Sequence, residues 1–215
     1  MPFRNRQHAA ELLAKKLAAY KGQHPLVLGI PRGGVVMASV MADALEGEVD
    51  VVLVHKLRAP GQPEFAIGSI DEAGDAYLSG AVEQLGVRDS YIREESRVQT
   101  DLMRKRRAQY TPVRPPINPV GRLAIVVDDG LATGATMIAA LHAVRTRKPA
   151  KLIAATAVAP ADTLERVGEL ADEVVCLETP DEFFAVGQFF EDFDQVEDEE
   201  VIEILRRHGS SHEKR

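Results

Sequence analysis

Tryptophan is missing from the 215-residue sequence, and cysteine is reduced to Cys176. One cysteine cannot close an intramolecular disulfide, so a disulfide-stapled secreted scaffold is excluded and a reducing compartment is the economical setting. Long apolar runs are lacking too. None approaches the roughly 20 residues that span a bilayer, and the first residues hold no apolar core of a secretory leader. A cytoplasmic protein without a membrane partner is expected. Nor is positive charge in excess: 26 Lys and Arg against 33 Asp and Glu give a net charge of −7. Sequence-independent binding of nucleic acid needs a basic field, so nucleic acid is not an expected partner. What remains is ordinary for a globular chain, 45% hydrophobic and 27% charged. One α/β domain of this length buries roughly 70% of its unfolded surface.

Five short apolar runs punctuate the chain: Leu26–Ile30, Val49–Val54, Leu123–Val127, Lys151–Val158 and Val174–Leu177. Helical patterns alternate with them, at Asn5–Lys21, from Val36 to Leu45, from Ile138 to Arg145 and over Ala161–Ala171. This alternation predicts an α/β fold with a doubly wound, mainly parallel five-stranded sheet flanked by helices. Cys176 falls inside the last run and reads as a buried strand residue. A single domain is expected over 1–215, with a core of about 1–178 and an appendage mainly over 179–215.

The most informative stretch is Leu123–Thr136, L-A-I-V-V-D-D-G-L-A-T-G-A-T. Its apolar start suits a strand buried on both faces. Asp128 and Asp129 follow at the strand's carboxyl end, where open α/β sheets bind ligands. Thr133-Gly134-Ala135-Thr136 then opens a helix whose first N–H groups have no intrahelical partner and favour a phosphate. An acidic pair beside a phosphate cradle fits vicinal hydroxyls near a phosphate, as in ribose 5-phosphate. One Asp would suffice as a helix cap, so capping alone does not account for the pair.

Ile125–Thr136 resembles the signature of the type I phosphoribosyltransferases. The resemblance implies that Asp128 and Asp129 hold the ribose hydroxyls of phosphoribosyl pyrophosphate (PRPP), and that Ala132, Thr133, Gly134, Ala135 and Thr136 hold its 5-phosphate. Pro31-Arg32-Gly33-Gly34, between a strand and a helix, looks like the family's pyrophosphate loop, with Arg32 as a fixed charge. His55-Lys56-Leu57-Arg58 emerges after the second apolar run, making Lys56, and then Arg58, further candidates for pyrophosphate. His55 reads as a hydrogen-bonded strand-end residue. Ala59-Pro60-Gly61-Gln62-Pro63-Glu64 carries the breakers of a mobile loop and coincides with the family's flexible lid. Phe65–Ser79 has the look of a hairpin turning at Glu72–Asp75.

Asp89–Tyr110 reads as a long charged helix with Tyr91, Val98, Leu102 and Met103 as its apolar stripe. Its Arg104–Arg107 run is read as a solvated face matched to the helix dipole. Four prolines make 111–119 a linker. Five of the seven phenylalanines, Phe183, Phe184, Phe189, Phe190 and Phe193, then crowd the region where the family places a hood over the acceptor. Asp194–Glu197 resembles a capping box for a last helix with Val201, Ile204 and Leu205 inward.

The resemblance implies transfer of a phosphoribosyl group from PRPP to or from a nitrogenous base, with Mg²⁺ held mainly through substrate and in part by Asp128 and Asp129. A homodimer is expected. In 6-oxopurine transferases the residue before T-G carries a carboxylate; here it is Ala132, so acid–base chemistry must come from elsewhere, with Glu64 a candidate. Two other readings stay open: a PRPP-binding regulator without transferase activity, and an enzyme acting on another phosphorylated sugar.

Overall fold

A computed structural model of the protein describes residues 2–209, with the side chains of Pro63 and Glu64 outside the described residues. The main sheet contains β1 (Leu26–Gly29), β2 (Glu48–Val51), β6 (Leu123–Asp128), β7 (Lys151–Val158) and β8 (Glu173–Glu178), all parallel, in the spatial order β2-β1-β6-β7-β8. Its central strands are buried on both faces, as their unalternating sequences require: Val27, Ile125, Val126, Val127 and Ile153 are fully buried. Each such side chain contributes roughly 1.5–3 kcal/mol relative to exposure.

Two layers of helices cover the sheet. On one side, α1 (Arg6–Lys16) and α2 (Gly33–Leu45) bury Leu13, Met37 and Met41; on the other, α5 (Ala135–Thr146) buries Met137, Ala140 and Leu141, with α6 (Ala161–Gly168) beside it. Asn5 starts α1 by accepting from the His8 N–H at 2.9 Å. Strand order reverses between β1 and β6, whose register pairs Gly29 with Val127. The crevice of a doubly wound sheet opens at such a reversal. It brings the residues after β1 beside those after β6.

The second apolar run divides. The run from Val49 does not stay in one sheet: the Val52 N–H still bonds to Gly29 O, after which the chain enters β3 (Val54–Ala59) of a separate antiparallel sheet with β4 (Gln62–Asp71) and β5 (Ala76–Leu78). Unbroken hydrophobicity cannot mark where a chain leaves one buried sheet for another. The expected mobile loop at 59–64 is instead a tight hairpin, with Ala59 paired to Gln62 around Pro60 and Gly61, the latter at φ +71°. The hairpin expected at 65–79 is present and turns at Glu72–Asp75.

A short helix, α3 (Ala81–Gln84), leads into α4 (Asp89–Tyr110), which has the expected bounds but a different inner face: Ile92, Gln99, Thr100, Met103 and Tyr110 are buried, while Val98 and Leu102 are exposed. Arg107 is not solvated. It bonds to both Glu72 oxygens, to Asp50 Oδ1 at 3.1 Å and to Val51 O, tying α4 to both sheets. The last helix, α7 (Asp198–Gly209), begins later than the capping pattern suggested and buries Val201 and Leu205, while Ile204 is half-buried. Cys176 is only partly buried, because β8 is an edge strand.

Candidate active site

Asp128 ends β6 and Asp129 follows it. Asp128 Oδ1 accepts from the Asp129 N–H at 2.9 Å. Burial first, and the neighbouring Asp129 charge second, push the Asp128 carboxyl well above its ordinary range. Asp129 Oδ2 accepts from Arg6 Nε at 2.8 Å, and both side chains are mostly buried. Arg6 Nη1 also donates to Asp194 O at 2.7 Å, and its guanidinium lies 3.9 Å from the centre of the Phe193 ring. One arginine thus links the acidic pair, the first helix and the chain beyond β8.

The P-R-G-G turn forms the facing wall. A Cβ on Gly34 would lie 2.5 Å from Val127 O, and one on Gly33 would lie 2.1 Å from Asp129 Oδ2. Glycine is therefore demanded here by close approach to the acidic strand end. Arg32 Nη1 donates to Glu197 Oε2 at 2.9 Å, and the Pro31–Arg32 peptide bond is cis.

The T-G-A-T turn forms the third wall. Gly134 takes φ +70°, a conformation that disfavours a side chain, and immediately precedes α5. From behind, Thr163 Oγ1 donates to Ala132 O at 3.0 Å and Arg166 Nη2 to Thr133 O at 3.1 Å. With its carbonyls held by α6, the turn leaves the N–H groups of Ala132, Thr133, Gly134, Thr136 and Met137 without a partner among the described residues. Ala135 N–H reaches only Thr133 Oγ1, at 3.5 Å. These donors at a helix start suit a phosphate. Above the acidic pair, Val186 packs so closely on Gly130 that a Cβ there would lie 2.4 Å from it.

Sequence reading thus located three of the walls: Pro31–Gly34, Asp128–Asp129 and Ala132–Thr136 share one crevice. It did not locate Arg6, Thr163 or Arg166. Arg6 left one signal, a positive charge in the first turn of a helix, where the dipole disfavours it. Lys56 and Arg58 lie elsewhere than expected, on β3 of the second sheet and not at the end of a main-sheet strand. Arg58 is fixed to α4 through its main chain, its N–H donating to Glu95 Oε1 at 3.3 Å and its carbonyl accepting from the Tyr91 hydroxyl at 3.1 Å. His55 is satisfied, its Nδ1 2.9 Å from Gln99 Oε1. Glu64, the acid–base candidate, has its side chain outside the described residues. Among the phenylalanines, Phe190 is buried against Phe3, Phe193 underlies Arg6, and Phe184 is 84% exposed. The described residues contain no group of three or more His, Cys, Asp or Glu able to cage a metal ion, and no helix among them is long and apolar enough to cross a membrane.

A family model described as a phosphoribosyl transferase domain matches residues 4–193. The chain belongs to that family. Phosphoribosyl transferase domains related to this one include a curated protein of Mycobacterium tuberculosis, found in two strains and named "Putative phosphoribosyl transferase", 40% identical over 206 residues. The alignment takes in 95% of this chain but 46% of that protein, so the chain spans about half the length of these relatives. A crystal structure of the Thermus thermophilus protein TT1426 is 46% identical and superposes with a TM-score of 0.87, covering 96% of this chain and 99% of the other.

Proposed function

We propose that this phosphoribosyl transferase domain is a pentosyltransferase that moves the phosphoribosyl group of PRPP to a nitrogenous acceptor. The bond from ribose C1 to pyrophosphate breaks, pyrophosphate leaves with the electron pair, the acceptor nitrogen forms the new bond to C1, and its proton passes to a base or to water. The observation that carries the reading is that the N–H groups of Ala132, Thr133, Gly134 and Thr136 have no partner among the described residues, beside Asp128 and Asp129. Asp129 Oδ1 and Asp128 Oδ2 have no hydrogen-bond partner among the described residues and would accept from the ribose hydroxyls. Arg32 and the Gly33 amide would face the pyrophosphate, the Gly34 N–H being taken by Ile30 O at 3.0 Å, with Lys56 and Arg58 as more distant charges and Glu64 as a proton acceptor. Two carboxylates without a third protein ligand fit Mg²⁺ only if substrate oxygens complete its shell. The ion would then supply charge neutralisation on the leaving pyrophosphate. Positioning and electrostatics would carry the rest of the rate enhancement.

Magnesium-dependent PRPP binding, followed by calorimetry, tests the site. Asp128→Asn combined with Asp129→Asn should abolish binding while the melting curve stays cooperative; unchanged affinity refutes the assignment. Pyrophosphate release with a panel of bases then tests the transfer. Two features favour a second reading, a PRPP-binding regulator: Arg6 already occupies one oxygen of Asp129, and Ala132 offers no acid–base group. Tight PRPP binding without pyrophosphate release for any base would select it.

A further inference from the structure

Two consecutive carbonyls of the turn before α5 are held from behind by α6: Thr163 Oγ1 donates to Ala132 O at 3.0 Å, and Arg166 Nη2 to Thr133 O at 3.1 Å. Both peptide bonds are trans, and in a planar trans peptide the C=O and the N–H point in opposite directions. Ala132 C=O shares its peptide plane with the Thr133 N–H, and Thr133 C=O shares its plane with the Gly134 N–H. Each bond from α6 therefore turns one of these N–H groups away from α6, and neither N–H has a partner among the described residues. Arg166 Nη2 also donates to Thr163 Oγ1 at 3.2 Å, so one guanidinium feeds both bonds. It makes no ion pair among the described residues; its Nε reaches Asp162 O at 3.4 Å. Thr163 is 1% exposed, and its Cγ2 would lie 2.7 Å from a Cβ on Gly134, so helix and turn touch directly.

We infer that Thr163 and Arg166 are positioning residues for phosphate: Thr163 aims the Thr133 N–H, while Arg166 aims the Gly134 N–H and lends both donors its positive charge. The inference rests on the reading of Ala132–Thr136 as a phosphate cradle. Hydrogen bonds in a chain polarise one another, so a carbonyl accepting from a cation makes the N–H of its own peptide a stronger donor. The guanidinium thus acts on the anion through the backbone, from the far side of the turn. Donors already held in place also lose less freedom when the anion arrives.

Amide NMR signals of Thr133 and Gly134, titrated with inorganic phosphate, test the assignment, and calorimetry with PRPP gives the affinities. The parent protein should show saturable shifts at both amides. Thr163→Val should weaken the response chiefly at Thr133, and Arg166→Met chiefly at Gly134, each with PRPP binding roughly twofold to tenfold weaker, the affinity equivalent of one hydrogen bond. Thr163→Ser, which keeps the hydroxyl, should restore the Thr133 response, and Arg166→Lys, which keeps the charge, should restore part of the Gly134 response. If Thr163→Val fails to fold, the Arg166 pair of variants decides alone. Parent-like responses in the folded variants would overturn the inference and leave the cradle standing. So would a loss spread evenly over both amides and matched by a lowered melting temperature, which would make α6 a support for the fold only. No saturable shift at either amide of the parent would remove the cradle, and the inference with it.

Discussion

Arg6 Nε and Asp129 Oδ2 meet at 2.8 Å although 123 residues separate them in the chain. The pair fixes one carboxylate of the strand-end crevice from the first helix, and Phe193 and Asp194 fix the arginine in turn. If this contact orients Asp129 toward the crevice, Arg6→Ala weakens PRPP binding. A hydrogen bond to a charged group contributes about 1.5–3 kcal/mol, which corresponds to roughly tenfold or more in affinity. Arg6→Lys should fall between, since lysine keeps the charge but loses the planar fork and the stack on Phe193. A gain in affinity for Arg6→Ala would mean that the arginine competes with ligand.

Asp128 gives a pH-dependent prediction. Its folded-state pKa is raised, so the folded protein binds the proton more tightly than the unfolded chain does. The contribution of this group to stability is therefore lost as pH rises above the unfolded value of about 3.9 toward the folded one. Asp128→Asn removes the buried charge while retaining an oxygen for the Asp129 N–H. Urea unfolding should find the variant more stable than the parent at pH 7, with a margin that shrinks as the pH approaches about 4. A margin independent of pH would contradict the raised carboxyl.

Gly33 and Gly34 should respond differently to alanine. At Gly33 the new Cβ meets the Asp129 and Arg6 side chains, which can move; at Gly34 it meets the backbone at Val127 O and Asp128 Cα, which cannot. Gly33→Ala should reduce PRPP affinity with little change in melting temperature. Gly34→Ala should destabilise the fold by about 1–3 kcal/mol, the usual range for overpacking. Calorimetry and melting curves on both variants decide whether the loss is local or global.

Arg107 holds the second sheet to the core through Glu72, Asp50 and Val51 O. Removing it leaves Asp50, which is 2% exposed, without its cation. Arg107→Ala should cost about 3–5 kcal/mol, as breaking a buried ion pair does. Hydrogen exchange should rise most in 54–78, and unaltered protection there would remove the arginine from its anchoring role.

The legible parts of the chain were those with local signals. Leu123–Thr136 carries the strand, the acids at its end and the turn into α5 in one uninterrupted stretch, so their juxtaposition could be read without knowing the topology. Asp89–Tyr110 was bounded correctly because charge patterning persists over six turns of helix, yet its inner face was misjudged: Gln99 is buried through its bond to His55, while Val98 faces outward. Long-range partners left almost no trace. Nothing near Arg6 names Asp129, and nothing in the run from Val49 says that the chain changes sheets after Val51. Pro60-Gly61 reads as a pair of loop breakers in the sequence, and pairing of Ala59 with Gln62 makes it the turn of a hairpin.

Val186 packs against Gly130, the residue that follows the acidic pair. The walls proposed to face the sugar are built from β1, β6 and the turns that follow them, whereas the cover comes from a stretch after the last strand. Under the proposed reading, recognition of the acceptor is modular: exchanging 183–189 for another sequence, with Val186 kept, would retune which base is admitted while Phe190 and Phe193 keep their places against Phe3 and Arg6 and the pentose grip is inherited unchanged.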